Sequence, residues 1–271
     1  MVWVLLHKCL ILFVAKFLID HKPTAMSSNR RDNLFAELRT DTSLFSFNDS
    51  VVDVFPDMIQ RSVPGYSTVV RMTGVLAEQY AQPGTCIYDI GCSLGESIRS
   101  VELALGDSTV SQRDCRLIGI DNSSAMVRRA QEQVASKSRI EWVEADALEV
   151  NFAPCSVVVL NFTLQFIPVP QRLRLLKAIQ SAMVPGGLLI LSEKLTMDDP
   201  AMDALMIDLH HDFKRSQGYS DLEIAQKRDA IENVLIPETA QSHSDRLSEA
   251  GFSRSSIWFQ CLNFASFIAI A

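Results

Sequence analysis

The chain has 271 residues, 48% of them hydrophobic, and a formal net charge of −7. That is enough apolar material for one large domain with a sizeable core. The negative balance weakens the phosphate-neutralising attraction behind nucleic-acid binding, so a small-molecule partner is expected and direct nucleic-acid binding is not. Six cysteines, at 9, 86, 92, 115, 155 and 261, form no CxxC pair, and the five histidines form no HExxH. Zinc-site and disulfide patterns are therefore absent, no metal is expected, and the scattered thiols fit a cytoplasmic protein.

The first twenty residues, MVWVLLHKCLILFVAKFLID, are apolar but interrupted by His7, Lys8, Lys16 and Asp20. The charges make a poor membrane span, and "PTA" at 23–25 only faintly resembles a cleavage site. Two readings stand: an upstream extension with Met26 as the start of the protein proper, or an amphipathic helix on a membrane surface. The first is preferred, and no membrane partner is expected. Residues 26–45 are a polar lead-in. VVDVFPDMIQRSVPGY (51–66) mixes apolar anchors with Pro56, Pro64 and Gly65 and reads as a cap over something. STVVRMTGVLAEQY follows as a helix, ended by the turn QPGT.

From there strands and helices alternate. CIYDI (86–90) reads as a buried strand, and Leu94, Ile98, Val101 and Leu105 follow at helical spacing. RLIGID (116–121) is a second strand, after which Ser123 is placed to cap a helix. RIEWVEAD (139–146) is a third. SVVVLNF (156–162), a fourth, has the unbroken apolar run of a strand covered on both faces. A helix through Leu173, Leu176, Ile179 and Met183 is expected to stop at Pro185-Gly186-Gly187, before a fifth strand at 187–193. The alternation predicts an α/β fold with a doubly wound, mostly parallel sheet. Residues 198–235 read as a helical insertion, Gly251 as a helix stop, and 255–271 as an antiparallel strand pair closing the sheet edge.

In such sheets ligands bind beyond the carboxyl ends of the strands. Those ends carry Gly91-Cys92-Ser93-Leu94-Gly95, Asp121-Asn122, Asp146-Ala147 and Asn161. Gly91 and Gly95 allow a tight turn; Asp121 suits two ribose hydroxyls; Asp146 suits an adenine amino group. A glycine loop alone reads equally well as an ordinary strand–helix turn, but four polar strand ends together point to a nucleoside. Ser93 stands where a dinucleotide fold needs its middle glycine and would crowd a pyrophosphate. S-adenosylmethionine has no phosphate, and a hydroxyl with backbone N–H groups can serve its carboxylate. Ser93 can also be read as a helix cap.

YDIGCSLG, IDNS, NFTLQF and PGG, in this order, resemble the class I S-adenosylmethionine-dependent methyltransferase fold. VFPDMIQRSVPGY (54–66), VVLNFTLQF (158–166), LSEK (191–194), HHDFKRSQGYSDLEIAQKR (210–228) and WFQCLNFASFIA (258–269) resemble, more specifically, the carboxy-S-adenosyl-L-methionine synthase family. The resemblance covers about residues 26–271; only the loop at 106–114 looks longer than usual. It implies a seven-stranded methyltransferase-like domain over 26–271, with an N-terminal helical cap (26–84) and the insertion at 198–235. It also implies a homodimer, and S-adenosylmethionine as substrate rather than methyl donor. Prephenate would supply the carboxylate and leave as phenylpyruvate, and the product would pass to a tRNA carboxymethyltransferase for wobble-uridine oxyacetate modification. The cofactor contacts it implies are Tyr66, Gly91, Cys92, Ser93, Asp121, Asn122, Asp146, Ala147, Asn161 and Arg228.

By itself Arg228 reads as an exposed helix arginine in AQKRD; the resemblance makes it the guanidinium that grips the carboxylate, from its own subunit or across a dimer. Tyr66 is either a packing tyrosine or a closure over the sulfonium or carboxylate. Together they are the expected catalytic pair. Arg61 is a second cation in the cap. His210 and His211 read as packing residues rather than bases, and Cys92 as a backbone contact. Two rivals remain open: an ordinary small-molecule methyltransferase, and a module that binds tRNA or the partner transferase without chemistry.

Overall fold

The computed structural model describes residues 30–37, 48–106 and 114–271. The expectations for residues 1–25 and for most of the loop at 106–114 lie outside the described residues, as does much of the lead-in. Residues 31–271 form one compact unit.

Seven strands make one sheet in the order β3-β2-β1-β4-β5-β7-β6. They are β1 (Cys86–Ile90), β2 (Arg116–Asp121), β3 (Ile140–Glu144), β4 (Cys155–Asn161), β5 (Met183–Lys194), β6 (Arg254–Cys261) and β7 (Phe264–Ile270). The first five are mutually parallel; β7 runs antiparallel between β5 and β6. The period-2 alternation of the buried strands divides the core. Tyr88, Ile90, Val158, Leu160, Leu189 and Leu191 face one side, and Ile87, Val157, Val159, Leu188 and Ile190 the other. Both sides are covered by helices, so β4 is apolar from Val157 to Leu160; Ser156, at its start, has its hydroxyl satisfied by Thr85 Oγ1 (2.7 Å).

The described helices are α1 (Asp49–Ser62), α2 (Tyr66–Tyr80), α3 (Glu96–Gly106), α4 (Ser124–Gln133), α5 (Val169–Ala182), α6 (Pro200–Ser216), α7 (Asp221–Ile231) and α8 (Ala240–Ala250). Ser123 caps α4 by accepting from Met126 N, and Gly251 ends α8 at φ 102°. The cap is more helical than its prolines predict: α1 runs through Pro56, and its apolar face packs on Leu94 and Met126. Pro185-Gly186-Gly187 is not the helix stop that the sequence predicts. α5 ends at Ala182, and Pro-Gly-Gly lies inside β5, where Met183 pairs with Cys155 and Leu188 already pairs with Val157. Three extra residues are absorbed there as a bulge, with Gly186 at φ 76°. The insertion is α6 and α7, joined through Gly218 and Tyr219 and lying over the ends of the parallel strands.

Candidate active site

Beyond the carboxyl ends of β1, β2 and β4, under α1, α6 and α7, is a cavity of about 580 Å³. The ten residues expected to contact the cofactor all line it. The turn after β1 is tight. Gly91 has φ 68°, and a Cβ there would fall 2.3 Å from Thr163 Oγ1; Gly95 has φ 81°, and a Cβ would fall 2.1 Å from Trp142. Neither position admits a side chain. Between them Ser93 also takes a left-handed φ, 51°. Its N–H donates to Asp121 Oδ2 (2.8 Å), and its hydroxyl turns to Met126 Sδ (3.3 Å).

The end of the cavity beyond β1 and β2 is acidic. Asp121 Oδ1 also accepts from Ser123 N at 2.9 Å, and burial pushes its carboxyl upward while these N–H bonds oppose the shift. Asp89, 2% exposed, is pushed up to about 7 by burial, with the neighbouring Asp121 adding to the rise. A buried and a half-buried carboxylate with no ion pair among the described residues suit a ligand that brings hydroxyl and ammonium donors, as S-adenosylmethionine does. Asp146 caps the short turn Ala147–Glu149 through Leu148 N (2.9 Å). Asn161 differs: its amide donates to Thr73 Oγ1 (3.2 Å) and Ser97 Oγ (2.9 Å) and accepts from Ser192 Oγ (2.7 Å). Its side chain braces β4 against α2 and α3.

Tyr66 starts α2 after the left-handed Gly65 (φ 78°). Its ring stands 6.2 Å from Phe162, which stands 6.2 Å from Phe264, itself 4.9 Å from His210. This aromatic shelf forms one side of the cavity. Burial, and after it the neighbouring Glu96 carboxyl, raises the Tyr66 phenol well up, so the ring rather than an ionised oxygen faces the cavity. Burial likewise pushes the Cys92 thiol well up, leaving an unreactive neighbour.

The opposite end is cationic. Ile207, His210, His211 and Lys214 of α6, and Ile224, Lys227, Arg228 and Ile231 of α7, recur at i, i+3, i+4, i+7 and face inward; Lys194 joins them from the end of β5. Arg228 lines the cavity of its own chain. Arg61 does not line it. Its guanidinium stacks 3.9 Å over Tyr219 and bonds to Asp57 (3.0 Å) and Gln217 O (2.9 Å), locking α1 to the insertion. His210 is held neutral, pushed by burial down to about 3, and its Nε2 meets Ser62 O at 2.8 Å, the packing role expected for it. Lys194, Lys214 and Lys227 are additions to the expected site. For Lys214 and Lys227 the signal in the sequence is the helical spacing within the insertion; Lys194 directly follows the fifth strand expected at 187–193.

The model described as "Methyltransferase domain" matches residues 87–187. Human N-acetylserotonin methyltransferase in complex with SAM superposes with a TM-score of 0.55 at 15% identity, over 82% of this chain and 55% of that one. "PigF with SAH" gives 0.53 at 18%, over 83% and 60%. These show the methyltransferase fold. Carboxy-S-adenosyl-L-methionine synthase of Geobacter sp. (strain M21) is 51% identical over 246 residues, 89% of this chain and 99% of the relative. That of Pseudomonas syringae pv. syringae is 52% identical over 250 residues, 90% and 99%. The chain belongs to the carboxy-S-adenosyl-L-methionine synthase family. It is thus an enzyme built on a methyltransferase fold that uses S-adenosylmethionine. Among the described residues no cluster of His, Cys, Asp and Glu could hold a metal, and no helix is long and apolar enough to cross a membrane.

Proposed function

We propose that the enzyme takes the carboxyl group from prephenate, releases phenylpyruvate, and supplies carboxy-S-adenosyl-L-methionine to a tRNA carboxymethyltransferase for wobble-uridine modification. The observation that carries this reading is the division of one cavity into an acidic end (Asp89, Asp121, Asp146) and a cationic end (Lys194, Lys214, Lys227, Arg228). A sulfonium beside so many cations is unfavourable unless an anion lies between them. Prephenate is a dianion that answers to this. Its ring carboxylate leaves as carbon dioxide, the freed electron pair makes the ring aromatic, and the ring hydroxyl departs as hydroxide. The hydroxide takes a proton from the sulfonium methyl and becomes water; the resulting ylide carbon bonds to the carbon dioxide. No protein nucleophile is needed. The chain's part is to orient, to exclude water and to hold carboxylates.

In this reading Gly91, Cys92 and Ser93 receive the methionine tail through their backbone, Asp121 and Asn122 the ribose, Asp146 and Ala147 the adenine. Tyr66 and the Asn161 backbone flank the sulfonium, and Arg228 grips the carboxylate. The working unit is residues 26–271, cytoplasmic and a homodimer. An apolar stripe on α6, with Met202, Leu205 and Leu209 exposed, supports the pairing of two copies. Incubation of purified protein with S-adenosylmethionine and prephenate, followed by mass spectrometry, tests the reaction. A nucleoside heavier by one carbon dioxide is expected; S-adenosylhomocysteine alone would mean ordinary methyl transfer.

A further inference from the structure

The cations at the insertion end exceed what one carboxylate neutralises. Of Lys194, Lys214, Lys227 and Arg228, only Lys227 has a carboxylate at ion-pair distance among the described residues, Asp32 at 3.7 Å. Lys227 is also anchored to Ser62 Oγ at 3.1 Å, and Asp32 is shared with the Tyr219 hydroxyl at 2.5 Å, so this pair belongs to the framework that ties the lead-in to α7. Lys214 is different. It is 7% exposed, it lines the cavity, and its nearest recorded partner is the face of Tyr219, 5.8 Å from Nζ to the ring centroid. Lys194 lines the same wall from β5 without an ion pair among the described residues.

An ammonium buried without an anion at ion-pair distance is held at a cost. Lys214 is pushed down to about 7 by burial first, then by Lys227 and Lys194, against the weaker pull of Asp32; Lys194 is lowered by burial first, which the carboxylate of Asp203 opposes and Arg228 reinforces. These lysines come from three different elements, so no single helix face explains their meeting. A carboxylate placed among them would restore each charge at once. Arg228 can grip one carboxylate bidentately; a second carboxylate on the same substrate then falls to the lysines.

We propose that Lys214 and Lys194 form a second-carboxylate subsite, separate from Arg228, that makes the enzyme select a dicarboxylate co-substrate over a monocarboxylate. The proposal rests on the reading of this cavity as the carboxyl-transfer site. Lys214 is a specificity residue here, reached by the substrate's side-chain carboxylate while the reacting carboxylate lies nearer the sulfonium.

The test is calorimetric titration of prephenate, and separately of phenylpyruvate, into full-length enzyme saturated with S-adenosylhomocysteine, which binds without turnover. One charge-assisted contact to a carboxylate corresponds to roughly tenfold or more in affinity, so wild-type enzyme is expected to prefer the dicarboxylate by at least about that factor. Lys214→Met and Lys194→Met should each erase most of the preference while S-adenosylhomocysteine affinity stays within about twofold. Lys214→Arg should restore part of it. In steady state the loss should appear in the KM for prephenate more than in kcat. If Lys214→Met does not fold, Lys194→Met carries the test alone. Unchanged preference in the methionine variants, or no prephenate binding to wild type, overturns the subsite. Carboxylated product with unchanged KM in the variants would sink the subsite and leave the proposed reaction standing. A lysine-dependent preference without carboxylated product would do the reverse.

Discussion

The carboxylate of Asp121 accepts the backbone N–H of Ser93 at 2.8 Å, binding the end of β2 to the turn after β1. This contact holds Ser93 at φ 51°, a conformation that disfavours any side chain. Ser93→Gly removes the steric penalty and keeps the N–H. It is expected to raise unfolding free energy by up to about 1 kcal/mol, offset partly by the greater freedom of glycine in the unfolded chain. Because the hydroxyl faces Met126, S-adenosylmethionine affinity should change by less than about threefold, or roughly 0.6 kcal/mol. Urea unfolding and calorimetry check both; a large loss of binding would show that the hydroxyl swings to the ligand.

Gly91→Ala should behave oppositely. The added Cβ meets Thr163 within 2.3 Å at a φ of 68°, and Thr163 itself bonds to Ile90 O at 2.9 Å and has little room to retreat. Destabilisation of about 2 kcal/mol or more is expected, with loss of nucleoside binding. Gly91→Ala/Thr163→Ser, which removes the methyl but leaves the hydroxyl, should recover only part of the stability. Thermal unfolding of the two variants side by side measures the recovered share.

Arg228 gives the sharpest functional separation. In Arg228→Ala, S-adenosylmethionine binding should survive and carboxylation should fall by roughly 10- to 100-fold, the equivalent of one charge-assisted carboxylate contact. Mass spectrometry of the nucleoside pool reads the outcome, and unchanged turnover would remove Arg228 from the carboxylate clamp.

The strand ends were open to reading because a buried parallel strand leaves few choices. CIYDI and RLIGID match β1 and β2 residue for residue, and their terminal carboxylates and glycines fall where the sheet topology puts a ligand. β5 was harder. Pro-Gly-Gly is the usual mark of a helix stop, and only pairing with β4 shows that it is a bulge within a strand. The cationic wall was legible in spacing but not in placement. AQKRD has polar residues all round, so local pattern gives a solvated helix; it becomes a cavity wall because Arg61, Tyr219 and Asp32 fasten the insertion over the strand ends, a long-range contact that no local window contains. Asn161 carried the opposite lesson: a polar residue at a strand end can be occupied by its own neighbours.

His243 provides a test through pH. It lies on α8, 1% exposed, with neither ring nitrogen hydrogen-bonded among the described residues and its ring 5.5 Å from that of Phe267. Burial, aided by Arg246, pushes it down to about 4. The unfolded chain begins to take up a proton near 6.5, and the folded chain refuses it until about 4. Stability is therefore unaffected by this group at pH 7 and above, and falls as pH drops from 6.5 toward 4. At pH 5 the share of His243 is at most about 2 kcal/mol. His210, pushed to about 3, adds a loss of the same sign. His243→Leu keeps similar volume and removes two unsatisfied polar atoms, so it should stabilise the protein by about 1 kcal/mol at pH 7. The gain should widen at pH 5, because the leucine variant no longer pays the protonation difference. Urea unfolding of both proteins at pH 7.5, 6 and 5 measures the gap. Buried carboxylates such as Asp89 titrate in the same range but are common to both chains, so they cancel in the comparison. A gap that stays constant across the three pH values would mean that the imidazole is reached by water or bonded in solution, and that its burial does not govern acid stability.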